Sequence, residues 1–214
     1  MMSSGDLSLM RGWGFAALFL QNGGSIMSDE NYAQEGLSFT SAESGRISET
    51  HPLRQLFGAL VDGAFLNTVG CYDSEVSGYL ANILTDFTHV CRIYKVKNLA
   101  GKPLTEVADM LVEADVRLNA MSFNREREVH KHIGDFTLFW TGLYPDALPT
   151  LQSQCRHDHL LDYIEQGKSS YAIAASHDYG AYRQEAKVLK RISDNFEVCL
   201  YGLNAVRSKL GHSI

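Results

Sequence analysis

The chain has 214 residues, a mass of 23.8 kDa and a formal net charge of −6, from 19 Lys plus Arg against 25 Asp plus Glu. One good-sized domain fits this length, and such a domain buries enough surface to need neither disulfides nor a metal for its core. Hydrophobic residues at 45% and charged residues at 21% exclude a collagen-like, low-complexity or wholly disordered chain, and the acidic balance leaves no electrostatic footprint for nucleic acid.

The chain begins oddly. Arg11 precedes the apolar stretch Gly-Trp-Gly-Phe-Ala-Ala-Leu-Phe-Leu at 12–20, far short of the ~20 residues that span a bilayer. It is similar to a weak signal-peptide core, but no clean cleavage site follows. Met27 then opens a polar run, so residues 1–26 read as an upstream extension with Met27 as the natural start. A short apolar peptide that docks on a partner or a membrane surface is the other reading. Residues 28–50 are rich in Ser, Glu, Gly and Thr and complete an irregular N-terminal arm over 1–50.

Helical periodicity starts after Pro52, a residue suited to a first helical turn. Leu53, Leu56, Phe57, Leu60, Val61, Ala64 and Phe65 recur at i, i+3, i+4. After a turn around Gly70, a second helix is predicted from Ser74 to about Tyr94. Lys95–Lys102, with Asn98 and Gly101, reads as a loop. A third helix is predicted from Pro103, with Leu104, Val107, Leu111, Ala114 and Leu118 inward. Glu106, Asp109 and Glu113 form its solvated face, where Glu113 can pair with Arg117 at i+4. The fourth helix, about Asn124–Leu143, starts charged and becomes apolar nearly all round, which marks it as central and buried.

Asp146 is placed to cap a following helix, and the apolar phase slips over Gln154–His159, which predicts a kink or break. Leu160, Leu161 and Ile164 form a short stripe ending at Gly167, a good C′ residue. Ser169–Ala175 suits one further helix and His177–Gly180 a turn. Leu189, Ile192, Phe196, Cys199, Leu203, Val206 and Leu210 then step strictly by three and four to Gly211, a heptad-like seam in one last helix. Such a seam fits either an internal bundle contact or a dimer or partner interface. Arg183, Lys187, Lys190 and Arg191 on the same stretch read as a solvated face.

The cysteines are Cys71, Cys91, Cys155 and Cys199, with no Cys-x-x-Cys pair, so zinc-ribbon and thioredoxin-type sites are excluded. Cys91 and Cys199 fall on apolar helical faces and are expected to be buried free thiols in a reducing cytoplasm. No Walker-type, dinucleotide-binding or nucleophile-elbow motif occurs, and no His-Glu-x-x-His.

Asp86 with His89, His132 with Asp135, and His159 with Asp162 stand at i, i+3 on helix faces. If the second and fourth helices face each other, Asp86, His89, Glu128, His132 and Asp135 would form a mixed imidazole–carboxylate site. Such a ligand mix suits iron, manganese or zinc. Ferritin-like di-iron bundles use Glu-x-x-His on two helices plus two more Glu, and Glu-x-x-His is missing here, which counts against a di-iron-like site. With eight histidines and 25 carboxylates in 214 positions, chance alone supplies about two such pairs. His132, the dipeptide His157-Asp158 and Asp194 resemble, in order, the ligand set of HD-domain phosphohydrolases. Phe136, Phe139, Trp140 and Tyr144, near His130 and His132, would suit haem or another flat ligand, and equally an ordinary aromatic core.

The chain therefore reads as all-α: one bundle-like domain over 51–214 with about six or seven helices. The expected function is that of a soluble, cytoplasmic binding or interaction protein without catalysis. Its expected partner is a protein or a second copy, met through the last helix, with no nucleic acid and no transmembrane segment. The alternative is a metal-binding bundle enzyme or redox protein using the five residues above.

Overall fold

The protein is described by a computed structural model over residues 50–115, 118–120 and 122–211. The N-terminal arm, including the apolar stretch 12–20, and Arg117 lie outside the described residues. Among those described, every regular element is helical, and nine α-helices enclose one core.

Helix α1, Pro52–Ala64, starts where Pro52 predicts, and His51 Nδ1 accepts the Leu53 N–H at 3.3 Å. It runs into a π-turn, Phe65–Val69, which Gly70 ends at φ 78°, a conformation that side chains with Cβ avoid. Helix α2, Ser74–Asp86, is capped by Asp73, whose carboxylate accepts from the N–H of Glu75 and Val76. It stops eight residues before the predicted Tyr94. The Thr88 hydroxyl takes the Thr85 carbonyl at 2.7 Å, and Phe87 turns inward to meet Phe139 edge-on at 5.0 Å. A single turn, α3 (Val90–Ile93), follows. Cys91 is exposed there rather than buried, because the helix that would have turned it inward has already ended.

Helix α4 spans Val107–Ala114, not the longer stretch from Pro103. Pro103 instead faces Lys97 across a hairpin closed by the Leu104 N–H on the Val96 carbonyl. Glu113 is buried rather than solvated, paired with Arg125, and Leu118 lies beyond the helix and is exposed. Helix α5, Phe123–Leu143, is the expected central helix: its second half is buried on all sides. Asp146 does not cap α6, Leu148–Gln154, but pairs with Arg207. The predicted break then appears as an irregular segment with one 3₁₀ turn, Asp158–Leu160.

Helix α7, Tyr163–Ser176, is capped by Asp162 and runs straight through Gly167. Gly167 is mid-helix because a Cβ there would stand 2.4 Å from Thr137 Oγ1. It sets the close approach of α7 to α5 and does not end the helix. The predicted last helix is two: α8, Arg183–Asp194, and α9, Phe196–Gly211. Asn195 separates them at φ −122°, ψ 36°, its side chain donating to the Arg191 carbonyl. The heptad-like seam is inside the molecule. Leu189, Ile192, Phe196, Cys199, Leu203 and Val206 are all buried, with α8 on α7 and α2 and α9 on α5 and α1.

Candidate functional site

The five residues predicted as metal ligands are not brought together into one site. Asp86 is half-exposed and pairs with Arg92 at 3.4 Å. His89 is exposed in the turn before α3. Glu128, itself half-exposed, pairs with the buried Arg127. His132 is fully buried, its Nε2 donating to the Ile93 carbonyl at 2.9 Å, with Nδ1 left without a partner. Asp135 accepts the hydroxyls of Tyr79 at 2.6 Å and Tyr171 at 2.8 Å on a single oxygen. Among the described residues no three His, Cys, Asp or Glu side chains are placed to hold a metal ion. The i, i+3 spacing put His132 and Asp135 on one helix, whereas α2 ends at Asp86 and leaves His89 in the following turn. The spacing carried no information on whether α2 and α5 would present those faces to each other.

What α5 does carry is a buried ionic network. Arg127 is 0% exposed; its guanidinium bonds Glu128 and Glu185 and stacks 3.9 Å from the Tyr182 ring centroid. Lys131 reaches the other oxygen of Glu185 at 2.8 Å. Burial, opposed in part by Lys131 and Lys95, raises the Asp135 carboxyl above the usual carboxylate range. Burial beside Asp135 pushes the hydroxyls of Tyr79 and Tyr171 well above the phenol range. Two histidines on α5 are held neutral. His130, against the Ser170 hydroxyl, is lowered to about 4 by burial and then by His177. His132 is lowered to about 3 by burial and then by Lys95. Perturbed groups of this kind mark functional sites or structural networks alike. Here Arg127 and Lys131 face Glu128 and Glu185, Asp135 is bonded to two tyrosines, and the aromatic residues around Phe136 and Trp140 pack tilted or edge to face as core.

The dipeptide His157-Asp158 has a structural task. Asp158 is fully buried and accepts the N–H groups of Val107 and Ala108, both at 2.8 Å, and the Tyr163 hydroxyl at 2.5 Å. Glu106 accepts the His157 N–H in return. The first turn of α4 is thus capped from a segment about fifty residues away in sequence. Replacing Asp158 with Ala leaves three buried donors unpaired and is expected to cost about 3 kcal/mol. D158N is expected to cost nearly as much, because an amide offers one acceptor oxygen where the site presents donors to both. Chemical denaturation of the two variants beside the parent checks this.

Two open grooves are present. One, of 440 Å³, lies among α6, α7 and α9 and includes Leu148, Leu161, Ile164 and Leu200. The other, of 410 Å³, holds Lys187 and Lys190 beside Glu75 and Asp178. Its Arg191 is already paired with Asp73 and Glu75, so its charges are internally compensated.

A third feature is a set of exposed apolar side chains. Leu99 at the hairpin tip is 71% exposed, Leu118 in the turn after α4 is 65% exposed, and Phe123 in the first turn of α5 is 66% exposed. Arg125 ties these segments together: its guanidinium donates to the Lys97 carbonyl at 2.7 Å and to Glu113 at 3.2 Å. The hairpin tip is tightly closed. Asn98 Oδ1 accepts the N–H of Ala100 and of Lys102, both at 3.0 Å, and Gly101 sits at φ 79°. Leu99 is therefore held out into solvent by a fully bonded turn. Lys97 and Lys102 flank the tip in sequence and Lys95 precedes it; all three are exposed, and none makes an ion pair among the described residues. Helical periodicity marks inward positions; it placed Leu118 inward, and α4 ends before reaching it. A signal was present nonetheless: in an acidic chain, residues 87–105 contain Arg92, Lys95, Lys97 and Lys102 and no carboxylate.

Comparison with protein-family models, with curated proteins and with solved structures finds no significant match to this chain.

Proposed function

We propose that this chain is a helical binding protein without a catalytic centre, and that it docks through the corner built from Leu99, Leu118 and Phe123. The observation that carries this reading is the exposure of three large apolar side chains on segments joined by one arginine. Scattered apolar residues are ordinary on a surface, whereas a group of them marks an interaction site. The seam of α8 and α9 is covered by the chain's own helices, which favours the corner over the last helix as the docking surface. No described helix is long and apolar enough to cross a membrane. A cytoplasmic setting suits the exposed free thiols of Cys71 and Cys91, which a reducing compartment preserves.

Photo-crosslinking tests the docking reading. A benzophenone side chain replaces Leu99 or, as a control on an exposed face of α9, Tyr201. Adducts in living cells are expected from position 99 and not from position 201. Equal yields from both positions, or none from position 99, would overturn the reading.

A further inference from the structure

We infer that the corner of Leu99, Leu118 and Phe123 binds the surface of an anionic lipid bilayer. The inference rests on the docking reading above and names the partner. Three observations on the corner favour a bilayer over a protein. The first is shape. Protein hot spots seat anchors in matching pockets, but here the apolar groups stand about two-thirds exposed, and a fluid interface can accept them without a preformed hole.

The second observation is charge. The chain carries −6 overall, which works against an anionic surface. The stretch 87–105 reverses that sign locally, with Lys95, Lys97 and Lys102 exposed and free of ion pairs among the described residues. Arg92 and Arg125 are instead paired with Asp86 and Glu113. Lysine side chains suit this role because their stems lie along the apolar boundary while the ammonium reaches the headgroups.

The third is order. The hairpin is closed by hydrogen bonds of its own, through Asn98 and through Leu104 to Val96. It can present Leu99 without first paying an ordering cost on contact. Leu99 and Phe123 then enter the headgroup–acyl boundary while the lysines meet the phosphates and carboxylates above it.

The test is co-sedimentation of the full chain with phosphatidylcholine vesicles made with and without phosphatidylserine. Binding is expected only with phosphatidylserine and is expected to weaken as salt rises. Neutralising the corner as K95Q/K97Q/K102Q is expected to lower the partition coefficient roughly a hundredfold, and L99S about tenfold. Both variants change exposed side chains and are expected to melt with the parent. No binding to phosphatidylserine vesicles overturns the inference. So does binding that L99S leaves intact and that only W13S/F15S, in the apolar stretch near the N-terminus, removes. If vesicles fail while position 99 crosslinks to a discrete protein, an acidic protein partner replaces the lipid and the docking reading stands. If both experiments are blank, both readings fall.

Discussion

The unfolding free energy is expected to fall by roughly 4 kcal/mol between pH 6.5 and 4.5, from two buried histidines taking up protons only after unfolding. His132 is lowered to about 3 and His130 to about 4 by burial in the centre of α5. The folded-state values lie below the unfolded one. The stabilisation is therefore fully present above about pH 6.5 and is lost as pH falls through the window down to the folded values. Each histidine contributes about 2 kcal/mol over this range. Asp135 works the other way: its carboxyl is raised in the fold, so its protonation at lower pH favours the folded state and softens the final decline. Urea titrations at a series of pH values measure the slope. H132F is expected to lower stability at neutral pH by about 1 kcal/mol, because the Ile93 carbonyl loses its donor. The same variant should remove about half of the pH dependence. An unchanged slope in H132F would show that the ring exchanges protons freely in the folded protein.

G167V is expected to leave no stable fold, and G167A to cost about 2 kcal/mol net of its gain in helix propensity. A Cβ on Gly167 would stand 2.4 Å from Thr137 Oγ1 and 2.6 Å from the Phe196 ring. On the facing helix, a Cβ on Gly134 would meet the Tyr171 ring at 2.7 Å. The two glycines thus set the distance between α5 and α7 from both sides. Tyr171 cannot retreat cheaply, because its hydroxyl is bonded to Asp135 and its ring lies against Phe196. Gly211 is the contrast: nothing lies within 4 Å of its Cβ direction, and G211A is expected to change stability by a few tenths of a kcal/mol at most. Thermal melts of the three variants decide the matter. A G167A chain as stable as its parent would mean that α7 slides aside at little cost.

Much of the helical order was legible in the residues themselves. Pro52 starts α1, Ser74 starts α2, the turn at His177–Gly180 and the break after Gln154 stand where composition and phase place them. The apolar second half of α5 announced its burial. These are local facts: a missing N–H, a capping side chain or a 3.6-residue period acts over a turn or two of chain.

What the chain alone did not determine depends on groups brought together from afar. Val107 begins α4 because Asp158, distant in sequence, caps it. Gly167 lies mid-helix because Thr137 and Phe196 press against it. Asn195 breaks a seam that keeps its period across the break, since both halves bury the same stripe against different neighbours. The candidate metal ligands followed the same rule. Spacing placed His132 and Asp135 on one helix, but packing decided that one would bond a backbone carbonyl and the other two tyrosines. The exposed corner was half-written in the carboxylate-free run 87–105. That Leu99, Leu118 and Phe123 would stay exposed was decided by the fold, because exposure belongs to the packed molecule and no local preference encodes it.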